Sequence, residues 1–412
     1  MTADSQSSKE LNTALSEKEC REYRTIFRHT PEVLQIELTD RCNAGCIMCS
    51  HYYKKNIGAG DLRDGVLEKI EPLLENCRLM LLNGYGEPFI SGKYRQCMDL
   101  LKRYDVKAFV TTNLSVFTEE IKSDARDVFE QVCVSCHGCT CSDYEKISRG
   151  LSFDRFTDNL KRLMSIQNGP AVSLSVVAMA ANIGKAEDFI HFARQYGIRE
   201  VRFGRLGINS YIDNTEQDLI HYRHAASQFF EDARKTAEQC GIRIVYPDNY
   251  KDVPVQREIL EQEIEALQNL VFAYTDDHQR RLTRQFQMEY SAHQYRKEKI
   301  RPFSTEIRSS GICDWVGRGL YIDKNGDCYP CCETSEITYG NVLTDSLDSI
   351  LNGENAVCIR RSFYEGKLPY FCLNCPFIAN QELKMLKVEK KDEVYRAIDY
   401  STKDHSAESE EI

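Results

Sequence analysis

Two kinds of hydrophobic pattern alternate along the chain between residues 34 and 246. Short apolar runs, which predict buried strands, are separated by stretches whose apolar residues recur at helical spacing. The predicted strands are Leu34–Leu38, Leu79–Leu82, Val106–Val110, Val132–Ser135, Val172–Ala178 and Glu200–Phe203. The predicted helices are Leu67–Leu74, Tyr94–Tyr104, Val116–Phe129, Phe156–Gln167 and Ala186–Tyr196. Six strand–helix units predict an α/β fold with a parallel sheet and right-handed crossovers, closed or nearly closed as a barrel.

The same pattern divides the rest of the chain. Leu219–Gly241 predicts a further helix and Ile242–Tyr246 a strand. Residues 250–308 are charged and helix-rich, and they predict an insertion that either caps the barrel mouth or packs outside it, away from the substrate. The domains we expect are an N-terminal segment (1–30), a barrel (31–249), the helical insertion (250–308), a small cysteine-rich unit (309–383) and a charged, partly disordered tail (384–412).

Composition narrows the functional classes. A chain of 412 residues that is 42% hydrophobic can bury one large core and a smaller one. Its formal net charge of -10 disfavours nucleic acid as a partner, because phosphate contacts require clustered cations. No apolar run reaches about 18 residues and Met1–Lys18 is polar, so we expect a cytoplasmic protein without a membrane span or signal peptide. Eighteen cysteines in such a protein favour metal ligation over a disulfide framework.

The strongest chemical pattern is a cysteine loop after the first predicted strand. Cys42, Cys46 and Cys49 follow one another in the spacing CxxxCxxC. Three thiolates on one loop can hold three irons of a cubane cluster and leave the fourth iron open. A structural zinc site completed by His51 is the alternative, although zinc ligands usually come as CxxC pairs on opposed knuckles.

With Asn43, the stretch Leu38–Cys49 resembles the cluster loop of the radical S-adenosylmethionine (SAM) superfamily. The resemblance implies a partial (β/α)6 TIM-like barrel, and an open iron that binds the amino and carboxylate groups of SAM. It also implies reductive cleavage of SAM to a 5'-deoxyadenosyl radical. The residue before the third cysteine is commonly aromatic in this superfamily and packs near the adenine. In this chain it is Met48, whose polarisable thioether can fill the same role.

The segment after the second predicted strand, Asn83–Pro88, is similar to the GGEP segment of the superfamily. In that segment, backbone carbonyls accept hydrogen bonds from the SAM ammonium group. The implied cofactor contacts are Gly84, Tyr85, Gly86 and Glu87. Tyr85 stands where the superfamily has its first glycine. We expect Gly86 to let the backbone approach the ligand closely.

Later strand ends supply further candidate SAM contacts. Asn113 ends the third strand in a Thr-Thr-Asn sequence that is common in the superfamily, and Ser135 ends the fourth, as in its Ser-x-Asp-Gly segment. His137 stands where the acid of that segment usually is. Asn182 and Arg205 follow the fifth and sixth strands, and each can instead be a turn residue or a salt-bridging surface group.

The loop after the fourth strand is rich in cysteine. Cys136, Cys139 and Cys141 are candidate catalytic thiols, one of which would give a hydrogen atom to a substrate radical. Together with Cys133 they can instead be small residues that fill a tight barrel layer. A third interpretation is a metal site formed by Cys136, His137, Cys139 and Cys141. The loop that carries these residues is too short to surround an ion tetrahedrally.

The C-terminal cysteines form a second pattern. A predicted hairpin with an Asn-Gly turn at Gly319–Asp327 precedes a Cys-Tyr-Pro-Cys-Cys sequence, a Gly-Asn-Val turn and a final CxxCP. This order resembles the SPASM/twitch extension of radical SAM enzymes and implies one auxiliary [4Fe-4S] cluster. The implied ligands are Cys313, Cys331, Cys372 and Cys375, with Cys328 and Cys332 as spares. A zinc ribbon is the alternative, with the ligands Cys328, Cys331, Cys372 and Cys375.

The resemblance implies a radical SAM enzyme with two [4Fe-4S] clusters and SAM as cofactors. Loss of an electron from the substrate radical to the auxiliary cluster gives oxidation, whereas a thiol donor gives epimerisation. We expect a small polar substrate of carbohydrate, aminocyclitol or nucleoside type, because the thirty residues before the first strand are too few for a peptide-recognition domain. A peptide maturase and a non-catalytic zinc-binding protein are the alternatives. The expected redox partner is a reductant such as flavodoxin or ferredoxin.

Overall fold

The computed structural model describes residues 3–49, 59–207, 215–254, 256–270, 312–334, 337–365, 369, 372, 387–391 and 394–398. The chain divides into two compact units. Unit 1 consists of Met1–Ile36, Arg63–Met80 and Glu298–Ile412, and unit 2 consists of Glu37–Leu62 and Leu81–Lys297. The domain boundaries expected at residues 31, 250, 309 and 384 stay predictions.

The secondary structure elements are numbered in chain order. The strands are β1 (Val33–Ile36), β2 (Gly45–Cys46), β3 (Leu79–Leu82), β4 (Lys107–Thr112), β5 (Phe129–Ser135), β6 (Ser148–Arg149), β7 (Ala171–Ala178), β8 (Glu200–Arg205), β9 (Arg243–Val245), β10 (Gly319–Ile322), β11 (Asp327–Tyr329), β12 (Gly340–Asn341), β13 (Lys387–Lys391) and β14 (Val394–Ile398). The α-helices are α1 (Ala3–Arg21), α2 (Val66–Ile70), α3 (Tyr94–Arg103), α4 (Glu119–Asp127), α5 (Cys141–Ile147), α6 (Phe153–Met164), α7 (Ala180–Ile183), α8 (Ala186–Tyr196), α9 (Arg223–Cys240), α10 (Arg257–Gln268), α11 (Asp314–Arg318), α12 (Leu347–Asn352) and α13 (Glu354–Tyr364). Short 3₁₀ helices are Glu71–Glu75, Pro88–Ile90, Thr215–Gln217, Leu219–Tyr222 and Asp248–Tyr250.

Unit 2 is built on a parallel sheet. Its strands lie in the order β4–β5–β7–β8–β9, and all of these pairs are parallel. Phe189 of α8 packs edge-on against Phe203 of β8, with 5.7 Å between the ring centroids. Val132, Cys133 and Val134 of β5 are all buried although successive side chains point to opposite faces, so both faces of this strand are covered. The predicted α/β class with a parallel sheet is therefore confirmed.

Unit 1 contains an antiparallel hairpin near its C-terminal end. β10 pairs with β11 and β11 with β12, both antiparallel, and β1 lies parallel to β10. The Asp323 carboxylate holds the turn by accepting from the N–H groups of Asn325 (2.8 Å) and Asp327 (3.0 Å). Gly326 has a φ of +87°, a conformation that L side chains rarely adopt. The predicted hairpin with an Asn-Gly turn is confirmed.

Local signals explain where observed bounds differ from predicted ones. α4 begins after Thr118, later than predicted, because the Thr118 hydroxyl accepts from the Ile121 N–H (3.2 Å) and caps the helix at that point. The predicted helix Leu67–Leu74 divides into α2 and the 3₁₀ helix Glu71–Glu75. Pro72 lies near the start of that 3₁₀ helix and has no N–H to continue the α-helical hydrogen bonds. β3 and α8 have the predicted bounds.

Part of the predicted insertion lies within the described residues. In its helix α10, the Glu263 carboxylate accepts from the Ala225 N–H of α9 (2.8 Å) and lies 3.1 Å from His224 Nδ1. Residues 271–308 lie outside the described residues, so the role of the insertion stays a prediction. In the charged tail, β13 and β14 form an antiparallel pair, and residues 399–412 lie outside the described residues. No helix in the described part of the chain is long and apolar enough to cross a membrane.

Candidate active site

The cluster loop follows β1 in the chain, and backbone hydrogen bonds anchor it within unit 2. The N–H of Asp40 donates to the carbonyl of Gly60 (3.1 Å). Further along, β2 pairs antiparallel with β6 and places Cys46 opposite Ser148. The N–H of Cys49 donates to the carbonyl of Cys46 (3.0 Å), which turns the chain back on itself. The three predicted ligands therefore lie on one anchored turn.

The thiols of the loop act on one another electrostatically. Burial, followed by the charges of Cys49 and Cys42, raises the pKa of the Cys46 thiol to about 12. Such a set fits a cubane, because each thiol can give up its proton and bind a separate iron as a thiolate. Among the described residues, no three Cys, His, Asp or Glu side chains lie close enough together to hold a single metal ion. His51, the fourth ligand of the zinc alternative, lies outside the described residues.

Asn113, a predicted SAM contact, lies beside the cluster loop. Its Nδ2 donates to Asn43 Oδ1 (3.0 Å) and lies 3.9 Å from the Cys42 sulfur. Asn43 Nδ2 in turn donates to Ser115 Oγ (2.8 Å). The side chain of Asn113 therefore supports the loop, and its contact with SAM stays a prediction.

Glu87 joins the chain after β3 to the end of β4. Its buried carboxylate accepts from Thr112 Oγ1 (2.7 Å), the Asn113 N–H (2.7 Å) and the Phe89 N–H (3.2 Å). Burial raises the pKa of Glu87 to about 7, although these three hydrogen bonds lower it. The side chain thus fixes the backbone of the Gly-Glu-Pro segment, a role that sequence reasoning missed.

The two glycines of this segment lie against other parts of the protein. A Cβ atom at Gly86 would lie 2.3 Å from the carbonyl oxygen of Thr39 and 2.6 Å from that of Arg41, both in the cluster loop. A Cβ atom at Gly84 would lie 2.5 Å from Oε1 of Glu37. The reason expected for Gly86 was close approach to the ligand. The structure gives a different reason, which is close approach to the backbone of the cluster loop itself.

Met48 belongs to an apolar group at the carboxyl ends of β7 and β8. With Val177 and Ala181, it packs against the buried side chains of Ile47, Ile147, Met179 and Leu206. An apolar surface of this kind can hold an aromatic base. The predicted contact of Met48 with the adenine is compatible with this position and stays a prediction.

Three other predicted SAM contacts lie at or after the carboxyl ends of strands. Ser135 ends β5, is half-buried and lies opposite Ser175 of β7. Arg205 ends β8 and is exposed, and Tyr85, after β3, also exposes its side chain. The Tyr85 N–H donates to Glu37 Oε1 (2.7 Å), and the roles of all three residues as SAM contacts stay predictions.

Asn182 is committed to the turn after β7. Its Oδ1 accepts from the Met179 N–H (3.0 Å), and its Nδ2 donates to the carbonyls of Val177 (2.9 Å) and His137 (3.3 Å). His137 Nδ1 accepts from the Val177 N–H (3.2 Å), and burial lowers the His137 pKa to about 4, so its ring is neutral. The alternative interpretation of Asn182 as a turn residue therefore has the stronger support.

The three candidate catalytic thiols lie in different environments. Cys136 is fully buried, and its sulfur lies 3.4 Å from the carbonyl of Gly138 as a hydrogen-bond donor. A hydrogen bond with Cys136, and then burial, raise the pKa of the Cys139 thiol. Cys141 opens α5 and is exposed, and the Glu145 side chain raises its pKa. Cys136 and Cys139 therefore form a thiol pair, from which Cys141 is separate.

Tyr144 is a residue whose position the sequence did not reveal. Its side chain is fully buried, and its ring stacks on Phe156 with 4.8 Å between centroids. The hydroxyl has no hydrogen-bond partner among the described residues. Burial raises its pKa, and the charges of Cys136 and Cys46 raise it further. The sequence around Tyr144 gives no indication of this burial.

The predicted auxiliary ligands lie in unit 1. Cys313 directly precedes α11, and its carbonyl accepts from the Gly317 N–H (2.8 Å). Burial raises the pKa of the Tyr339 hydroxyl most, and the charges of Cys331, Cys372 and Cys313 raise it further. The fourth predicted ligand, Cys375, lies outside the described residues.

The two spare cysteines have other surroundings. Cys328 is fully buried, and its sulfur is 3.8 Å from the carbonyl of Gly326. Burial, followed by Asp323 and Asp327, raises its pKa to about 12. Cys332 is exposed and lies 4.0 Å from a carboxylate oxygen of Glu333. These positions favour Cys331 over either spare as a ligand, and they disfavour the zinc ribbon that requires Cys328.

Comparisons with known proteins agree with the C-terminal cysteine pattern. Residues 313–376 match the SPASM family, described as an iron-sulfur cluster-binding domain. The chain is 23% identical over 166 residues to a probable GTP 3',8-cyclase of Thermococcus kodakarensis, which covers 40% of this chain and 53% of that protein. It is also 23% identical over 181 residues to the GTP 3',8-cyclase of Clostridium botulinum, covering 41% and 54%. The chain thus spans about half the length of the curated relatives it matches.

Solved structures share the fold over most of the chain. Streptococcus suis SuiB bound to its precursor peptide SuiA aligns with a TM-score of 0.55 and 14% identity, covering 90% of this chain and 74% of SuiB. The enzyme anSMEcpe with bound AdoMet aligns with a TM-score of 0.54 and 14% identity, covering 85% of each chain. The parallel sheet agrees with the fold of these structures. The chain therefore shares the α/β fold of structures that hold AdoMet, and its C-terminal residues 313–376 match an iron-sulfur cluster-binding domain.

Proposed function

We propose that the chain is an enzyme that cleaves SAM reductively and abstracts a hydrogen atom from a small polar substrate. The observation that carries this proposal is the anchored turn that bears Cys42, Cys46 and Cys49, on which Cys46 lies opposite Ser148 and the Cys49 N–H donates to the Cys46 carbonyl (3.0 Å). When bound there, a [4Fe-4S] cluster with an open iron supplies the electron that converts SAM into methionine and a 5'-deoxyadenosyl radical. That radical takes a hydrogen atom from the substrate and leaves as 5'-deoxyadenosine.

The residues of unit 2 have distinct roles in this proposal. Glu87 and Asn113 hold the Gly-Glu-Pro segment and the cluster loop in place through their hydrogen bonds. Met48 offers an apolar contact to the adenine. Ser135 and Arg205 offer polar groups to SAM or to the substrate at the carboxyl ends of their strands, where parallel α/β proteins bind ligands.

The fate of the substrate radical depends on the thiol pair. In oxidation, the radical would lose one electron to the auxiliary cluster and one proton to solvent, and no protein thiol is required. Epimerisation requires a thiol that gives its hydrogen atom to the radical carbon and becomes a thiyl radical, which needs an electron and a proton to return to a thiol. We propose oxidation, because Cys136 is fully buried and the interaction with Cys136, followed by burial, raises the pKa of the Cys139 thiol.

A peptide substrate is the second candidate. The observation that favours it is the fold shared with SuiB, whose structure holds a precursor peptide. One assay distinguishes the two candidates. The rate of 5'-deoxyadenosine release is measured with each class of molecule, and the substrate class is the one that accelerates the release. Small polar molecules such as nucleosides and aminocyclitols accelerate it under our proposal, whereas acceleration by peptides alone would support the second candidate.

The experiment that tests SAM cleavage uses protein reconstituted with iron and sulfide without oxygen. With dithionite and SAM, the wild-type protein is expected to release 5'-deoxyadenosine. The variant with alanine at Cys42, Cys46 and Cys49 is expected to release none, whereas Cys358→Ala, at an exposed position of α13, retains the activity of the wild type. Release by the triple variant, or none by the wild type, would refute the proposal.

Turnover in deuterium oxide tests the fate of the radical. Oxidation predicts a product that lacks two hydrogens and is unaffected by Cys139→Ala. Deuterium at the reacting carbon, absent in Cys139→Ala and present in the Cys358→Ala control, would establish a thiol donor instead.

A further inference from the structure

Tyr339 has an unusual environment in unit 1. It directly precedes β12, and its N–H donates to the carbonyl of Cys328 (2.7 Å), which fixes the backbone at this point. Its side chain is 9% exposed. The hydroxyl oxygen is buried and has no hydrogen-bond partner among the described residues. Leaving a buried hydroxyl unpaired costs about 1–3 kcal/mol, so native proteins rarely do so without a functional reason.

The charges around the hydroxyl indicate what it faces. Burial raises the Tyr339 pKa most, and Cys331, Cys372 and Cys313 raise it further. Arg360 is the group that lowers it. The three thiols that raise the pKa of the hydroxyl are all implied ligands of the auxiliary cluster, whereas the spare Cys328 contacts Tyr339 through its backbone carbonyl.

We propose that the Tyr339 hydroxyl donates a hydrogen bond to a sulfur atom of the auxiliary cluster and thereby raises the reduction potential of that cluster. This inference rests on the proposed auxiliary cluster. A hydrogen bond to a cluster sulfur is stronger in the reduced state, which carries one more negative charge, so it stabilises the reduced state more than the oxidised one.

A buried cation adds to the same effect. Arg360 is 3% exposed, and its guanidinium donates to the carbonyls of Thr25 (2.7 Å) and Leu351 and stacks on the Phe27 ring at 3.9 Å. These partners carry no net charge; burial lowers the pKa of the guanidinium, and the charge of Glu19 is among those that raise it. Tyr339 and Arg360 thus both favour a more negative cluster, the hydroxyl by direct hydrogen bonding and the arginine through its charge.

The test is a redox titration, followed by electron paramagnetic resonance (EPR), of the full chain with alanine at Cys42, Cys46 and Cys49. In this background only the auxiliary cluster remains. Tyr339→Phe keeps the ring and removes the hydroxyl, and is expected to lower the midpoint potential. The expected size is about a tenfold change in the ratio of reduced to oxidised cluster, which corresponds to about 59 mV for one electron.

Tyr364→Phe is the matched control. Tyr364 is also fully buried in unit 1, but its hydroxyl donates to the carbonyl of Arg24 (3.1 Å). We expect no change in potential from this variant. The inference would be overturned if Tyr339→Phe, at full iron content, has the same midpoint potential as the background protein. It would also be overturned if Tyr364→Phe lowers the midpoint potential by as much as Tyr339→Phe does. Absence of iron in the background protein would instead refute the auxiliary cluster itself.

A second measurement does not depend on the folding of a variant. In the same background with Tyr339 intact, electron-nuclear double resonance of the reduced cluster is expected to detect a strongly coupled proton that is lost after reconstitution in deuterium oxide. Exchangeable protons of backbone amides would also be present in Tyr339→Phe. If the intact protein shows only those protons, the inference is overturned.

Discussion

The glycine at position 86 offers a sharp test of how the cluster loop is positioned. An alanine there places a Cβ atom 2.3 Å from the carbonyl oxygen of Thr39 and 2.6 Å from that of Arg41. Cβ atoms essentially never approach other heavy atoms closer than 3.0 Å, so the first of these contacts must lengthen by about 0.7 Å. Because both oxygens belong to the backbone, no side-chain rotation can relieve the contact. The cluster loop must therefore move.

The size of the effect follows from the cost of overpacking. Forcing an extra carbon into a packed site costs about 1–3 kcal/mol, and this cost falls on the loop that carries Cys42, Cys46 and Cys49. If the displaced loop binds its cluster with this penalty, affinity for the cluster falls by about 5-fold to 150-fold. The auxiliary cluster is held by other residues and is unaffected.

The assay is iron content after anaerobic reconstitution and a wash with a chelator. The wild-type protein is expected to retain about eight irons per chain, and Gly86→Ala about four. Gly184→Ala is the matched control, because a Cβ atom at the exposed Gly184 meets no atom closer than 3.9 Å. Equal iron retention in Gly86→Ala and Gly184→Ala would refute the reasoning, and would leave ligand approach as the explanation for Gly86.

Three further predictions concern single side chains. Glu87→Gln removes a carboxyl group whose pKa burial raises from 4.5 to about 7. Because the pKa is higher in the folded protein than in the unfolded chain, protonated Glu87 stabilises the fold. This contribution to the free energy of unfolding is complete below pH 4.5 and is lost as the pH rises through about 7, by up to ~3 kcal/mol. Urea unfolding of the apoprotein between these pH values is expected to show this loss in the wild type and not in Glu87→Gln. Cys331→Ser is expected to lower the iron content by about four irons per chain, whereas Cys332→Ser leaves it unchanged. Tyr144→Phe is expected to stabilise the apoprotein by about 1–3 kcal/mol in urea unfolding, because its buried hydroxyl has no partner among the described residues.

Each of these predictions has a result that would contradict it. Parallel pH profiles of wild type and Glu87→Gln would mean that Glu87 does not gain a proton on folding. Iron loss in Cys332→Ser would mean that Cys332, and not the adjacent Cys331, is a ligand of the auxiliary cluster. A destabilised Tyr144→Phe would mean that the hydroxyl makes a favourable contact in the apoprotein.

Features that depend on neighbouring residues could be predicted from the sequence. The bounds of β3 and α8, the hairpin at Gly326 and the position of Cys46 on a loop after a strand all follow from local patterns. The parallel sheet follows from the alternation of strands and helices. The division of the predicted helix Leu67–Leu74 at Pro72 also has a local cause, because proline has no backbone N–H to donate.

Features that depend on distant residues could not be predicted in this way. The carboxylate of Glu87 is satisfied by groups at the end of the next strand, and Gly86 is constrained by a loop more than forty residues earlier in the chain. The hydroxyls of Tyr144 and Tyr339 are informative only because they are buried without partners among the described residues. Burial of this kind is a property of the packed structure, and a tyrosine in a sequence gives no sign of it.

The central claim is that the loop from Cys42 to Cys49 carries a cluster whose open iron binds SAM. EPR of the dithionite-reduced protein, recorded with and without SAM, tests it most directly. We expect SAM to change the signal of one of two clusters in the wild type. The variant with alanine at Cys42, Cys46 and Cys49 is expected to show one signal, from the auxiliary cluster, that SAM does not change. A wild-type spectrum that SAM leaves unchanged, or a triple variant that still responds to SAM, would contradict the claim.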